Sequence, residues 1–132
     1  VHHAGEECRQ CLTDYYDLIL PRHRGGNVLD LCSSFTSHYP NRWKAPSDGS
    51  CIALGLNPLE LAANPSKTEF KVQNLNINVK LPFENNRFDV ITNSLSVDYL
   101  TRPLEVFDEM YRILKPGGAY LVLFLYLYLS LV

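Results

Sequence analysis

The clearest periodicity in the chain runs from Phe88 to Phe124, FDVITNSLSVDYLTRPLEVFDEMYRILKPGGAYLVLF. Phe88, Val90 and Ile91 form a short apolar run. Apolar residues then recur every three or four positions, at Leu104, Val106, Phe107, Met110, Tyr111, Ile113 and Leu114, the spacing of a helix with one face on a core. Pro103 suits the first turn of that helix, Lys115 its negative end, and Pro116-Gly117-Gly118 stops it. A second apolar run starts at Ala119. Two apolar strands joined by such a helix make a βαβ unit, which closes right-handed with its strands parallel. The pattern therefore predicts an α/β chain whose ligand site lies at the carboxyl ends of the strands.

The earlier part of the chain extends this order. Glu6 to Leu20 reads as a helix ended by Pro21, and Arg22 to Asn27 as a polar turn. Val28 to Cys32 is a strand, apolar except for Asp30. Ser33 to Ser50 holds two prolines and many small polar residues, which allow at most a short helix. Cys51 to Leu56 reads as a second strand, Pro58 to Ala63 as a helix with Asn57 placed to cap it, and Phe70 to Leu75 as a weaker third strand. Leu81 to Arg87 is a loop into the strand at Phe88. Nothing repeats and no linker interrupts the chain, so residues 1–132 read as a single domain.

Composition narrows the chemistry. A chain of 132 residues with 46% hydrophobic and 20% charged residues fits a globular domain. Its net charge of −2 supplies no field to gather phosphates, which argues against a nucleic-acid partner and leaves small or neutral substrates. Four scattered cysteines do not make a disulfide scaffold and point to a reduced compartment, cytoplasm or organellar stroma or matrix, rather than secretion. Cys8 and Cys11 form a lone CxxC near His2 and His3. Cys32 and Cys51 fall in strands, so no metal site is expected. The fourteen nearly wholly apolar residues from Ala119 to Val132 fall short of the roughly twenty that span a bilayer, and their tyrosines and branched residues favour a buried strand over a membrane segment. The first residue is Val1, so the lack of a leader says nothing about targeting.

Asp30 is the first chemical signal. A carboxylate within an apolar strand is costly unless backbone amides or a ligand hydroxyl or ammonium group bond to it. The small residues after it, Ser33 and Ser34, let backbone N–H groups approach a ligand. Two readings stay open, a nucleotide-cofactor turn and a structural aspartate that ties a loop.

Taken together, NVLDLCSS, LPFENNRFDVI and PLEVFDEMYRILKPGG resemble the class I S-adenosylmethionine-dependent methyltransferases, most specifically through LPF, FDVI and LKPGG. The closer resemblance is to a type-11-like subgroup in which the glycine-rich first turn becomes VLDL followed by SSWxSHxP; here Phe35 stands in the tryptophan place. Gly55, Asn57, Glu60, Leu61, Asn64 and Pro65 match its GxxN, EL and NP elements. The resemblance implies a Rossmann-like, doubly wound, mainly parallel sheet of strand order 3-2-1-4-5. The last helix and antiparallel hairpin of such domains would lie beyond this sequence, leaving the fifth strand an unprotected edge open to self-association.

By the same resemblance the cofactor is S-adenosylmethionine, held by Asp30, Cys32, Ser33, Ser34, Asn57, Asn74, Leu75 and Asn93. Asn57 would take the ribose role usually filled by an acidic residue, or else simply cap the next helix. Asn74 would take the adenine-amino role. GxGxG is absent, which puts a side chain where the methionine part of the cofactor approaches. The stretch from Asn93 to Tyr99 would face the transferred methyl, with Asp98, Tyr99 and His38 as candidate bases for an unidentified, small-molecule acceptor. Two further readings are an inactive remnant acting as a binding module and an NAD-type domain. The latter lacks GxGxxG and its downstream acid.

Overall fold

The computed structural model describes residues 5–20, 26–41, 43–45 and 49–123. The elements are α1 (Glu6–Ile19), β1 (Asn27–Leu31), β2 (Ser50–Gly55), α2 (Pro58–Ala63), β3 (Glu69–Val72), β4 (Phe88–Ser94), a 3-10 turn (Val97–Tyr99), α3 (Pro103–Ile113) and β5 (Leu114–Leu123). The five strands form one sheet in the order β3-β2-β1-β4-β5. Every neighbouring pair is parallel.

Alternation along the strands builds two cores. Leu29, Leu31, Ile52, Leu54 and Ile91 face Val106, Met110 and Ile113 of α3. Val28, Cys51 and Val90 face Leu12 and Tyr16 of α1, with Tyr39 beside them. Helices thus cover both faces, as continuously apolar parallel strands require. The order turns back between β1 and β4, so a crevice opens beyond the carboxyl ends of the central strands.

Several boundaries differ from the sequence reading. The helix α3 ends at Ile113 rather than at Lys115, and Leu114 is already extended (φ −80°, ψ 135°). Pro116-Gly117-Gly118 therefore lies within β5. Phe88 pairs with Leu114 and Val90 with Ala119, so the turn residues are accommodated as a register shift. Proline cannot donate to a ladder, and Gly117 sits at φ +81°, which explains the irregularity. Lys115, expected at the helix end, places its ammonium 2.9 Å from Asp89 Oδ2. The apolar face of α3 is also narrower than its spacing suggested: Leu104 and Tyr111 are 75% and 85% exposed.

The strand β3 covers Glu69–Val72 instead of Phe70 to Leu75, because Gln73 onward turns away and Leu75 folds back into the core. Within the long apolar end, Ala119 to Leu123 belong to β5, and residues 124–132 lie outside the described part. Among the described residues no helix is long and apolar enough to cross a membrane.

Candidate functional site

The end of β1 is organised around Asp30. It pairs in register with Ala53 of β2 and Thr92 of β4, so it sits at the centre of the sheet, only 2% exposed. Its oxygens are met by hydroxyls: Ser33 Oγ donates to Oδ2 at 2.6 Å and Thr92 Oγ1 to Oδ1 at 2.8 Å. Thr92 has one proton and gives it to Asp30. The Tyr39 hydroxyl, 2.6 Å away, must therefore be the donor to Thr92. Burial pushes the Asp30 carboxyl up to about 6, against the opposing pull of the Ser33, Ser37 and Thr92 hydroxyls.

The chain leaves β1 through Cys32, whose φ of 56° lies in the left-handed region. Ser33 N then donates to Leu54 O at 2.8 Å, which pins the turn against β2. Gly55 makes this approach possible, since a Cβ there would stand 2.2 Å from Ser33 O. From the other side Asn64, buried just after α2, directs its Nδ2 to Ser33 Oγ (3.2 Å), Ser34 O (3.1 Å) and Ser37 Oγ (2.9 Å). Hydroxyls and one amide thus shape a turn that glycines shape elsewhere. The sequence marks Asn64 only through an Asn-Pro match, because its anchoring role depends on a contact thirty residues away in sequence.

A cleft of about 380 Å³ lies at this edge of the sheet, within the usual range of small-molecule sites, roughly 300–1,000 Å³. Six of the expected cofactor residues line it: Cys32, Ser33, Ser34, Asn57, Asn74 and Leu75. Asp30 and Asn93 do not; both are buried beneath it. Asn57 caps α2, its Oδ1 accepting from Leu59 N at 3.0 Å and Glu60 N at 3.3 Å. Asn74 Oδ1 accepts from Asn76 N at 2.9 Å. The Cys32 thiol is pushed up to about 12 by burial, with the Asp30 carboxylate adding to the effect, so it is a neutral wall group and not a nucleophile. Of the candidate bases, Tyr99 lines the cleft, whereas Asp98 and His38 do not. Glu60 lines the cleft from α2, a position the sequence marks only through a motif match.

The LPF loop that feeds β4 is held by α3. Leu81 and Phe83 are buried. Arg112 donates from Nη2 to Leu81 O (3.0 Å) and from Nη1 to Phe83 O (2.8 Å), while Glu109 Oε2 accepts from Leu81 N (2.7 Å). One guanidinium thus reads two carbonyls of the loop and fastens it to the helix.

Residues 32–122 match a family described as a methyltransferase domain, type 11. Over 104 residues the chain is 31% identical to the ubiquinone/menaquinone biosynthesis C-methyltransferase UbiE of Dinoroseobacter shibae, covering 74% of this chain and 39% of that protein. Over 43 residues it is 54% identical to its counterpart in Ruegeria sp., covering 33% and 17% respectively. The match thus spans well under half the length of these relatives. An S-adenosylmethionine-dependent methyltransferase of Mesorhizobium loti superposes with a TM-score of 0.62 at 24% identity, covering 81% of this chain and 50% of that one. The chain belongs to the type-11 family of class I S-adenosylmethionine-dependent methyltransferase domains. S-adenosylmethionine is the cofactor of that family.

The residues present fit such a cofactor. The cleft has an apolar wall in Leu54, Leu56, Leu75 and Leu100 for a heterocycle, and one carboxylate, Glu60, beside amides and hydroxyls for its polar groups. Beneath it, the buried Asn93 Oδ1 has no hydrogen-bond partner among the described residues.

Proposed function

We propose that this chain is a cofactor-binding methyltransferase domain that transfers the methyl group of S-adenosylmethionine to a small-molecule acceptor. The observation that supports this reading is the cleft beyond β1, β2 and β3, which six of the eight expected cofactor residues line. The bound cofactor would supply a methyl carbon already activated by a sulfonium. The chain's own residues then orient and desolvate, which is most of what a direct displacement needs. The Ser33–Ser34 turn, tied to Asp30 and Asn64, sets the position of the cofactor's polar end. Leu75 and Leu100 exclude water from its apolar part. Tyr99 stands on the cleft wall where an acceptor proton would have to be taken, and it is needed only if the nucleophile carries one. A small acceptor agrees with the net charge of −2, which offers no attraction to a nucleic acid.

Calorimetric titration tests this. S-adenosylmethionine and S-adenosylhomocysteine are expected to bind the folded chain with one-to-one stoichiometry, and NAD to give no heat. Saturable NAD binding would overturn the reading, as would a folded chain that binds none of the three.

A further inference from the structure

The described sheet ends in β3 on the side away from β5, and the charges along that edge alternate in sign. There β3 pairs with β2 alone, and all four of its residues are exposed. Leu54 O is taken by Ser33 N on the β1 side, while Gly55 O accepts from Gln73 N at 2.9 Å on the β3 side. Alternate residues of a parallel ladder turn their backbone groups to the same neighbour, so Glu69 and Lys71 face β2 as Gln73 does. The N–H and C=O groups of Phe70 and Val72 are left on the outer edge. The side chains alternate between the two faces of the strand. Glu69 and Lys71 form a half-exposed ion pair at 3.8 Å on one face, and Phe70 and Val72 stand exposed on the other. Leu56 and Leu59, which follow β2, are further exposed apolar side chains on this side of the sheet.

We propose that β3 is a docking edge for a second copy of this chain, the two β3 strands pairing antiparallel about a two-fold axis at Phe70. The charges select that register. An axis at Phe70 sets Glu69 opposite Lys71 of the second copy and Lys71 opposite its Glu69, whereas an axis at Glu69 or at Lys71 sets like charges face to face. These are the non-hydrogen-bonded positions of the ladder, where Cα atoms come within about 4.5 Å and side chains meet most closely. At the axis Phe70 and its counterpart exchange both backbone hydrogen bonds, and their rings lie side by side. Charged side chains commonly keep an edge strand unpaired. Here the two signs alternate, so the residues that repel a shifted copy attract a matched one. The contact is isologous, as a two-fold dimer requires, and it joins two five-stranded sheets into one. Four residues a side fall below the standard interface size, so the association is weak and concentration-dependent. Pairing at this edge does not depend on what the cleft binds.

Amide hydrogen exchange of the 132-residue chain, read residue by residue by NMR, locates the contact. Exchange at the Phe70 N–H is expected to slow by about fivefold or more between about 10 μM and about 1 mM chain, the span of weak association. Lys71→Glu and Glu69→Lys each replace two attractive cross-strand pairs by repulsive ones and should weaken the association about tenfold. The double variant Glu69→Lys/Lys71→Glu restores opposite charges and should return to within about twofold of the parent. Thermal unfolding at the lowest concentration should match the parent in all three, because an exposed ion pair contributes little to the fold. Exchange at Phe70 that does not respond to concentration overturns the proposal, as does protection confined to β5. Protection that survives either single reversal, or that the double variant fails to restore, overturns the charge-matched register and the proposal with it.

Discussion

The carbonyl oxygen of Ser33 occupies the space in which a side chain on Gly55 would begin, 2.2 Å from the position of a Cβ. The contact is to backbone that Ser33 N also fastens to Leu54 O, so the neighbour has little freedom to retreat. Gly55→Ala should therefore cost about 1–3 kcal/mol, the usual range for overpacking, read from urea unfolding. Gly55→Asp should be at least as destabilising and should not strengthen nucleoside binding. An alanine variant as stable as the parent would show that the turn moves more freely than its bonds suggest.

The Asp30 carboxyl gives the protein a pH dependence of defined sign. Its folded value of about 6 lies above the ordinary 3.8, so between those values the folded state holds more protons than the unfolded one. Stability should accordingly fall as pH rises from about 4 to about 6, by about 3 kcal/mol for a shift of this size, and level off above. Glu109, held below the usual carboxylate range by Arg112, acts in the opposite sense, and its contribution is lost as pH falls below about 4.5. Asp30→Asn cannot ionise, so its denaturation midpoint should stay flat between pH 4.5 and 7. A wild-type midpoint that rises across that window would refute the assignment.

Asn57 separates capping from ligand contact. Removing the cap in Asn57→Ala should cost about 1 kcal/mol, and Asn57→Ser, which keeps an acceptor, should recover most of it. With capping as its role, the serine variant should bind S-adenosylhomocysteine within about twofold of the parent. A larger drop with stability restored would return Asn57 to the binding surface.

Arg112 links the loop before β4 to α3 through carbonyls that a lysine cannot meet together. Arg112→Lys keeps the charge but loses the planar fork, and should destabilise by about 1–3 kcal/mol in denaturant unfolding. Loss of less than half of the lower figure would mean that Leu81 and Phe83 alone hold the loop.

In the described sheet β5 pairs with β4 on one side only. Self-association of the 132-residue chain through that edge is the expected consequence, visible as a concentration-dependent sedimentation coefficient. A single monomeric species at high concentration would remove the edge as an interface.

The parallel sheet and its order were legible because they follow from local pattern and chain connectivity. Buried runs such as VLDL and CIAL, amphipathic spacing in α3 and the right-handed crossover rule admit few other arrangements. That Asp30 needs hydrogen-bond partners was legible as well, since a carboxylate in an apolar strand demands them; that the Ser33 and Thr92 hydroxyls supply them was not. The end of α3 was not. Leu114 and Lys115 satisfy helical spacing equally well, and only pairing with Phe88 draws Leu114 into the strand.

What the amino-acid order determined by itself was the set of elements and the end of the sheet at which chemistry is placed, because hydrophobic period and turn residues act over a few neighbours. Tertiary structure alone decided how that end is built: that Asn64 ties the serine turn, that Ser33 forbids a side chain at Gly55, and that Glu60 is the carboxylate left on the cleft wall. Those outcomes depend on contacts between residues as far as thirty-one positions apart, where close packing and the pairing of buried polar groups outweigh any local preference.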